Sequence, residues 1–281
     1  MSLIIGEISY TNILPLYYHL DRESLREQGC SIIPQVPSQL NKAMSDGLVD
    51  VGGISSFAYA ENTNQFTLLP DLSVSAYEKV GSIFLFSKVP IEELSGKSIA
   101  LTSSSATSIH LLKVILERFY EHTVSYEMMK PNLEKMLLDH DACLLIGDDA
   151  IMATWRKAET LYQYDLASLW YKHTGMPMTF AVVAVRNDAI ERDSHLVGQL
   201  YRSFIHSKSL SKEKNYQPMI QDILKTYGGE KAFWDDYFQG LYYDFSKREQ
   251  RGLELYYQLA YELGYLIKPV ESIHLWGAVE S

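Results

Sequence analysis

Residues 102–108 read TSSSATS, and six of these seven carry a hydroxyl. An apolar, helix-like run, IHLL, follows at once. A helix N-terminus leaves its first backbone N–H groups unpaired and carries partial positive charge. One Ser or Thr is enough to cap it. A cluster adds donors beyond the cap, which suits the segment to an anion such as a carboxylate. Ser105, Thr107 and Ser108 span the expected cap and first turn and are the best-placed donors.

Three further segments carry chemistry of the same kind. In GGISS (52–56), Ser55 and Ser56 can donate to a ligand. Gly52 and Gly53 allow either a close ligand approach or simply a tight strand-to-helix turn. In SYTN (9–12), the Asn12 amide both donates and accepts, so it can hold a ligand hydroxyl or carboxylate, or serve as a plain N-cap. Tyr10 can stack on a ring. In GDDA (147–150), Asp148 follows an apolar strand and reads either as a cap or as a cleft carboxylate acting as base or positioning group.

The elements that position these segments follow from periodicity. Strands are expected at 3–8, 31–36, 49–54, 66–75 and 80–87, with helices at 13–20, from 37 to about 47, and at 57–62. This βαβαβ order argues for a mostly parallel α/β sheet. A turn-rich break, KVPIEELSGKS, precedes a second unit. Its strands are expected at 98–102, 124–129 and 142–146, its helices at 107–120, 132–138 and from about 150. The long apolar strand 178–186 leads out of it, and helical, tyrosine-rich sequence runs on to about 267. Two lobes are therefore expected: lobe one from 1–88 plus 186–281, and lobe two from 95–178, with crossovers near 80–94 and 178–186. All four chemical segments follow strands, where open α/β sheets bind ligands.

Composition narrows the function classes. The net charge is −10 and no basic stripe occurs, which argues against nucleic acid. Cys30 and Cys143 match no metal spacing and read as buried, reduced thiols. The eight histidines form no HxH or HExxH, and there is no Walker loop, GxGxxG or GxSxG, so no metal or cofactor is expected. No apolar stretch reaches membrane-spanning length. The start, MSLIIGEISYTN, lacks a secretory pattern, so a cytoplasmic location is expected.

The segments GEISYTNILPL, QLNKAMSDGLVDVGGISSFAY, LLPDLSVSA, SSSATSIHLL, CLLIGDDA and DLASLWYKHTGMPMTFAV occur in this order across residues 6–183. Together they resemble the menaquinone-biosynthesis family of the futalosine pathway, and within it the chorismate dehydratases. The resemblance implies a periplasmic-binding-protein-like fold of type II: α/β, two-lobed, with an interlobe cleft and a helical C-terminal part. The sister 1,4-dihydroxy-6-naphthoate synthases are expected to carry a PND-type first loop and a histidine after the strand ending at Ile146. Thr11-Asn12 and Gly147-Asp148 stand there instead. Many relatives have Pro-Phe and a late Trp where this chain has Met178 and Ala184. The implied reaction removes water from chorismate, a dicarboxylate, to give 3-[(1-carboxyvinyl)oxy]benzoate. It further implies Ser105, Thr107 and Ser108 on one carboxylate, Ser55 and Ser56 on the other, and Ser82 reaching in from the crossover. Asn12 would orient the leaving hydroxyl, Gly147 would border the substrate, and Asp148 would be a catalytic group. The fold alone also allows a solute-binding protein, which would need an export signal or lipid anchor.

Overall fold

The computed structural model describes residues 2–277. The chain begins with β1 (Leu3–Ile8), a 3-10 turn (Thr11–Ile13), and the short helices α1 (Leu14–Tyr17) and α2 (Arg22–Glu27). It continues through β2 (Cys30–Gln35), α3 (Pro37–Ser45), β3 (Val51–Ser55), α4 (Ser56–Glu61) and β4 (Phe66–Ala76). A second excursion comprises β5 (Ile83–Ser87), β6 (Ser98–Thr102), α5 (Ala106–Val114), β7 (Ser125–Met129) and α6 (Leu133–Asp139), then β8 (Ala142–Ile146), α7 (Gly147–Arg156), β9 (Tyr162–Asp165) and α8 (Leu166–Thr174). The return is β10 (Met178–Arg186), followed by α9 (Asn187–Glu213), α10 (Gln217–Tyr227), α11 (Lys231–Gly240) and α12 (Lys247–Glu262).

The strands form two sheets of the same topology, β2-β1-β3-β10-β4 and β7-β6-β8-β5-β9. In each, the first three strands are parallel and the fourth runs antiparallel to both neighbours. The fourth strand is always the first one after the chain crosses between lobes. A strand entering from the edge where the parallel strands end must run against them, so the crossing itself sets its direction. Each sheet is thus mostly parallel, with one reversed strand that the sequence periodicity does not show.

The first lobe accordingly holds residues 3–76 and the chain from Met178 onward, and the second sheet collects residues 83–165. The strand at 83–87, counted within 1–88 in the sequence reading, pairs with β8 and β9 of the second lobe. Residues 278–281 of the expected 186–281 segment lie outside the described residues. Short elements without strong periodicity, α2, β9 and α8, were not expected from sequence. The helix expected over 107–120 is α5 continued by a π-helical turn at Ile115–Phe119.

Local sequence explains the elements that frame the cleft. Pro37 occupies the first turn of α3, where its missing N–H costs nothing, and Leu40, Ala43 and Met44 bury one stripe. β5 and β8, IFLFS and ACLLI, are buried at every position, as central strands covered on both faces must be. Ser246 and Glu249 form a capping box that starts α12. Leu253, Tyr256, Tyr257 and Ala260 then recur at helical spacing on its buried face. The Gly252 position lies against the Pro177 carbonyl oxygen, and Trp170 Nε1 donates to the same oxygen at 3.2 Å. Helix α12 thereby packs on the return crossing. Asp165 caps α8 and also accepts from the backbone N–H groups of Val80 and Gly81, which fixes the outgoing crossing. Cys30 and Cys143 are buried and free.

Candidate active site

Between the lobes lies a narrow cleft of about 40 Å³. Tyr10, Asn12 and Ser55 border it from the first lobe, and Ser105, Ser108 and Gly147 from the second. Ile83 and Phe180 add apolar wall. The segments SYTN, GGISS, TSSSATS and GDDA therefore converge, because each lies at or just beyond the carboxyl end of a strand that faces the other lobe.

Ser105 is the N-cap of α5, and its Oγ accepts the Ser108 N–H at 3.3 Å and lies 3.2 Å from Ser108 Oγ. Residues three apart share a helix face, so both hydroxyls stay together at the cleft. Ser55 caps α4. Its Oγ accepts the Ala58 N–H and the Asn41 side-chain N–H, each at 3.1 Å, while Asn41 Oδ1 accepts the Ser55 N–H. With two N–H donors already on its oxygen, the Ser55 hydroxyl hydrogen is left for the cleft. Asn41 was not expected; its only sequence signal is a polar residue beside Leu40 on the inner face of α3.

Asn12 sits inside the 3-10 turn rather than capping it, since Tyr10 is the cap residue. Its amide has no hydrogen-bond partner among the described residues and is half-buried at the cleft wall. Tyr10 presses its ring on Gly147. A Cβ on Gly147 would lie 2.9 Å from the ring, and its φ of +59° is one that L side chains rarely adopt. Burial pushes the Tyr10 hydroxyl pKa up; the nearby Ser104 side chain opposes this, and the charges of Asp149 and Asp148 reinforce it.

Four expected site residues lie behind this lining. Ser56 and Thr107 are fully buried and bond each other across the lobes at 3.1 Å. Ser56 Oγ donates to the Thr179 carbonyl at 2.8 Å, and Thr107 Oγ1 accepts the Phe57 N–H at 3.0 Å. Each hydroxyl has one hydrogen, so Thr107 donates to Ser56 and neither has a donor left for a substrate. Tyr257 and Tyr256 of α12 donate to the carbonyls of these same two residues. Ser82 is also fully buried, and its Oγ accepts from the Tyr237 hydroxyl at 2.9 Å. The Ser82 carbonyl accepts the Gly147 N–H at 2.7 Å, which sets the first residue of α7 against the outgoing crossing.

Asp148 is the fourth. It is 6% exposed, and its carboxylate faces Thr11, accepting the hydroxyl at 2.6 Å and the N–H at 3.3 Å. Burial raises the Asp148 pKa, the Thr11 hydroxyl and N–H and then Tyr227 lower it, and the neighbouring Asp149 charge raises it. Thr11 and Tyr237 thus contact expected site residues and were missed by sequence reasoning, since nothing in their spacing pointed to those partners.

The glycines of GGISS serve packing rather than ligand approach. A Cβ on Gly53 would meet Ile13 Cδ1 at 2.3 Å, and one on Gly52 would meet the Gly6 carbonyl and Leu40 at 3.1 Å. No group of three or more His, Cys, Asp or Glu side chains suited to a metal occurs among the described residues. No helix among them is long and apolar enough to cross a membrane.

Two α/β lobes of matching topology, joined by two crossings around a cleft, define a protein of the periplasmic-binding-protein-like class. Solved structures agree on this fold. The chain is similar to a protein of Archaeoglobus fulgidus, with a TM-score of 0.74 and 16% identity over 94% of this chain and 98% of that one. It is also similar to the alkanesulfonate-binding protein of Xanthomonas axonopodis pv. citri bound to MOPS, with a TM-score of 0.71 and 14% identity over 96% and 95%. The model of a family described as menaquinone biosynthesis matches residues 3–262, and the chain belongs to that family. Among curated relatives, the chorismate dehydratase of Thermus thermophilus is 34% identical over 199 residues, 66% of this chain and 70% of that enzyme. The chorismate dehydratase of Campylobacter jejuni is 26% identical over 227 residues, 80% of this chain and 82% of that enzyme.

Proposed function

We propose that this chain is a chorismate dehydratase, forming 3-[(1-carboxyvinyl)oxy]benzoate and water from chorismate. The observation that carries the reading is the pairing of hydroxyl-capped helix N-termini from both lobes across one cleft, in a chain of the menaquinone-biosynthesis family. An acidic protein needs such local donors to hold a dicarboxylate against its overall charge of −10.

The reaction is an elimination without redox change. The proton leaves the ring carbon bearing the enolpyruvyl ether, the hydroxyl on the neighbouring carbon departs with its electron pair, and the ring becomes aromatic. Ser105 and Ser108, with the N–H groups of the α5 terminus, take one carboxylate. The free hydroxyl hydrogen of Ser55 meets the other. The Asn12 amide donates to the departing hydroxyl. Among the described residues no carboxylate, imidazole or amine lines the cleft, so in this reading one of the substrate's own carboxylates accepts the ring proton.

Ser56 with Thr107, and Asp148 with Thr11, act as interlobe latches in this account. Small-molecule sites usually measure roughly 300–1,000 Å³, far more than the cleft offers, so chorismate enters only when the lobes part. The latches then re-form over it, exclude water and fix its geometry. The reading is tested by incubating the purified chain with chorismate and following the product by mass. A product lighter by one water supports it, and recovery of unchanged chorismate refutes it.

A further inference from the structure

A larger cavity, about 530 Å³, opens on the first lobe, and it shares no lining residue with the interlobe cleft. Its size falls in the range of small-molecule sites. The rings of Tyr201, Tyr216, Tyr242 and Tyr243 form much of its wall. Tyr243 is 5% exposed, and its buried hydroxyl has no hydrogen-bond partner among the described residues.

The charges at the rim are unequal in their engagement. Lys208 Nζ is already held, 2.6 Å from both the Asp71 carbonyl and the Asp244 carboxylate. The Lys212 ammonium and the Asp71 carboxylate have no ion pair or side-chain hydrogen bond among the described residues, yet both line the cavity. A cation and an anion, neither engaged by those residues, therefore face a tyrosine-walled space.

Left-handed backbone occurs at two places in the cavity wall. Opposite Val182 and Ala184, β4 pairs through Ser73 and Leu68, so residues 69–72 bulge out of the sheet, and Asp71 has a φ of 54°. At the α9–α10 junction, Asn215 and Tyr216 adopt φ values of 50° and 58°. Left-handed backbone is uncommon for non-glycine residues, most of all for a bulky one. It persists where surrounding structure enforces it, and such sites include ligand clamps. Here the Tyr216 ring is held in place by stacking on Phe238 at 5.5 Å.

We propose that this cavity is a second small-molecule site, for a zwitterion bearing an aromatic ring, the chemical class of the aromatic α-amino acids. The carboxylate of the ligand pairs with Lys212, its ammonium pairs with Asp71, and its ring lies among the tyrosines.

The probe is L-phenylalanine, titrated into the full chain by calorimetry, with phenylacetate and phenethylamine as analogues each lacking one charge. The expected result is saturable binding of phenylalanine and at least tenfold weaker binding of both analogues. Asp71→Asn, which keeps a residue tolerant of left-handed backbone, and Lys212→Gln should each weaken phenylalanine about tenfold. Neither residue touches the cleft, so chorismate turnover should be unchanged in both variants, which also reports that they fold. Absence of saturable binding to the parent chain would overturn the proposal. So would equal binding of the analogues, or unaltered phenylalanine affinity in both variants.

Discussion

The Thr11 hydroxyl donates to the Asp148 carboxylate across 2.6 Å, joining the first lobe to the second one residue away from Asn12. The bond holds the 3-10 turn from which the Asn12 amide faces the cleft. In the proposed reading Asp148 is a positioning residue, and Asp148→Asn separates that role from a base. Asn keeps an oxygen acceptor for Thr11, so kcat should stay within about tenfold of the parent, whereas loss of a general base costs about 10²–10⁴-fold.

The same substitution should change how stability depends on pH. Burial raises the Asp148 pKa in the folded chain. A group raised on folding contributes stability below its unfolded pKa, about 3.9 for Asp, and that contribution is lost as pH rises through the folded value. Asn does not titrate. The stability of Asp148→Asn relative to the parent should therefore increase as pH rises above about 4, through the raised folded value, read from urea unfolding at several pH values. A constant difference would contradict the raised pKa.

Asn12→Ala should lower kcat by about 10²–10³, the usual effect of removing one transition-state donor. Because the Asn12 side chain has no partner among the described residues, the thermal midpoint should move little. Steady-state kinetics and thermal unfolding on the same preparation check both halves. A large loss of stability with normal turnover would contradict the assigned role.

Gly147→Ala places a methyl group 2.9 Å from the Tyr10 ring on backbone with φ of +59°. The strain alone should destabilise the chain by more than about 1 kcal/mol. Turnover should fall further than stability explains, because the Tyr10–Gly147 contact joins the first lobe to the second and the proposed closure uses it. Normal kinetics in this variant would show that closure does not use this contact.

Ser105→Ala with Ser108→Ala should raise KM, since it removes donors to a charged group worth about 1.5–3 kcal/mol each, and loss of the Ser105 cap should also cost about 0.5–2 kcal/mol of stability. Thr107→Val should lose stability, about 1–3 kcal/mol, by leaving the buried Phe57 N–H without its acceptor, and should leave KM nearly unchanged. Comparison of KM and urea midpoints across the two variants checks the division. Equal behaviour of the two would mean that the hydroxyls of this segment do not divide their work as the geometry says.

That division shows what the sequence carried and what it did not. TSSSATS marked an unusual helix start, and the cap and cleft position of Ser105 followed from it. One residue along an α-helix turns about 100°, so Thr107 points away from the face that Ser105 and Ser108 share. Choosing between those faces required knowing where α4 lies, and the Ser56–Thr107 contact spans 51 positions. The α/β order and the lobes were legible from apolar periodicity. The reversal of β5 and β10 was not, because strand direction comes from where the chain crosses and leaves no local mark. Asn41, Thr11 and Tyr237 were missed for the same reason: each acts through a partner distant in sequence.

A proton NMR time course of chorismate with the purified chain reads the dehydration itself. The ring alkene resonances of chorismate should be replaced by those of a 3-substituted benzoate, with the enolpyruvyl methylene signals retained. Chorismate persisting for hours at the rate of an enzyme-free control, while an established chorismate dehydratase converts it in parallel, would contradict the account.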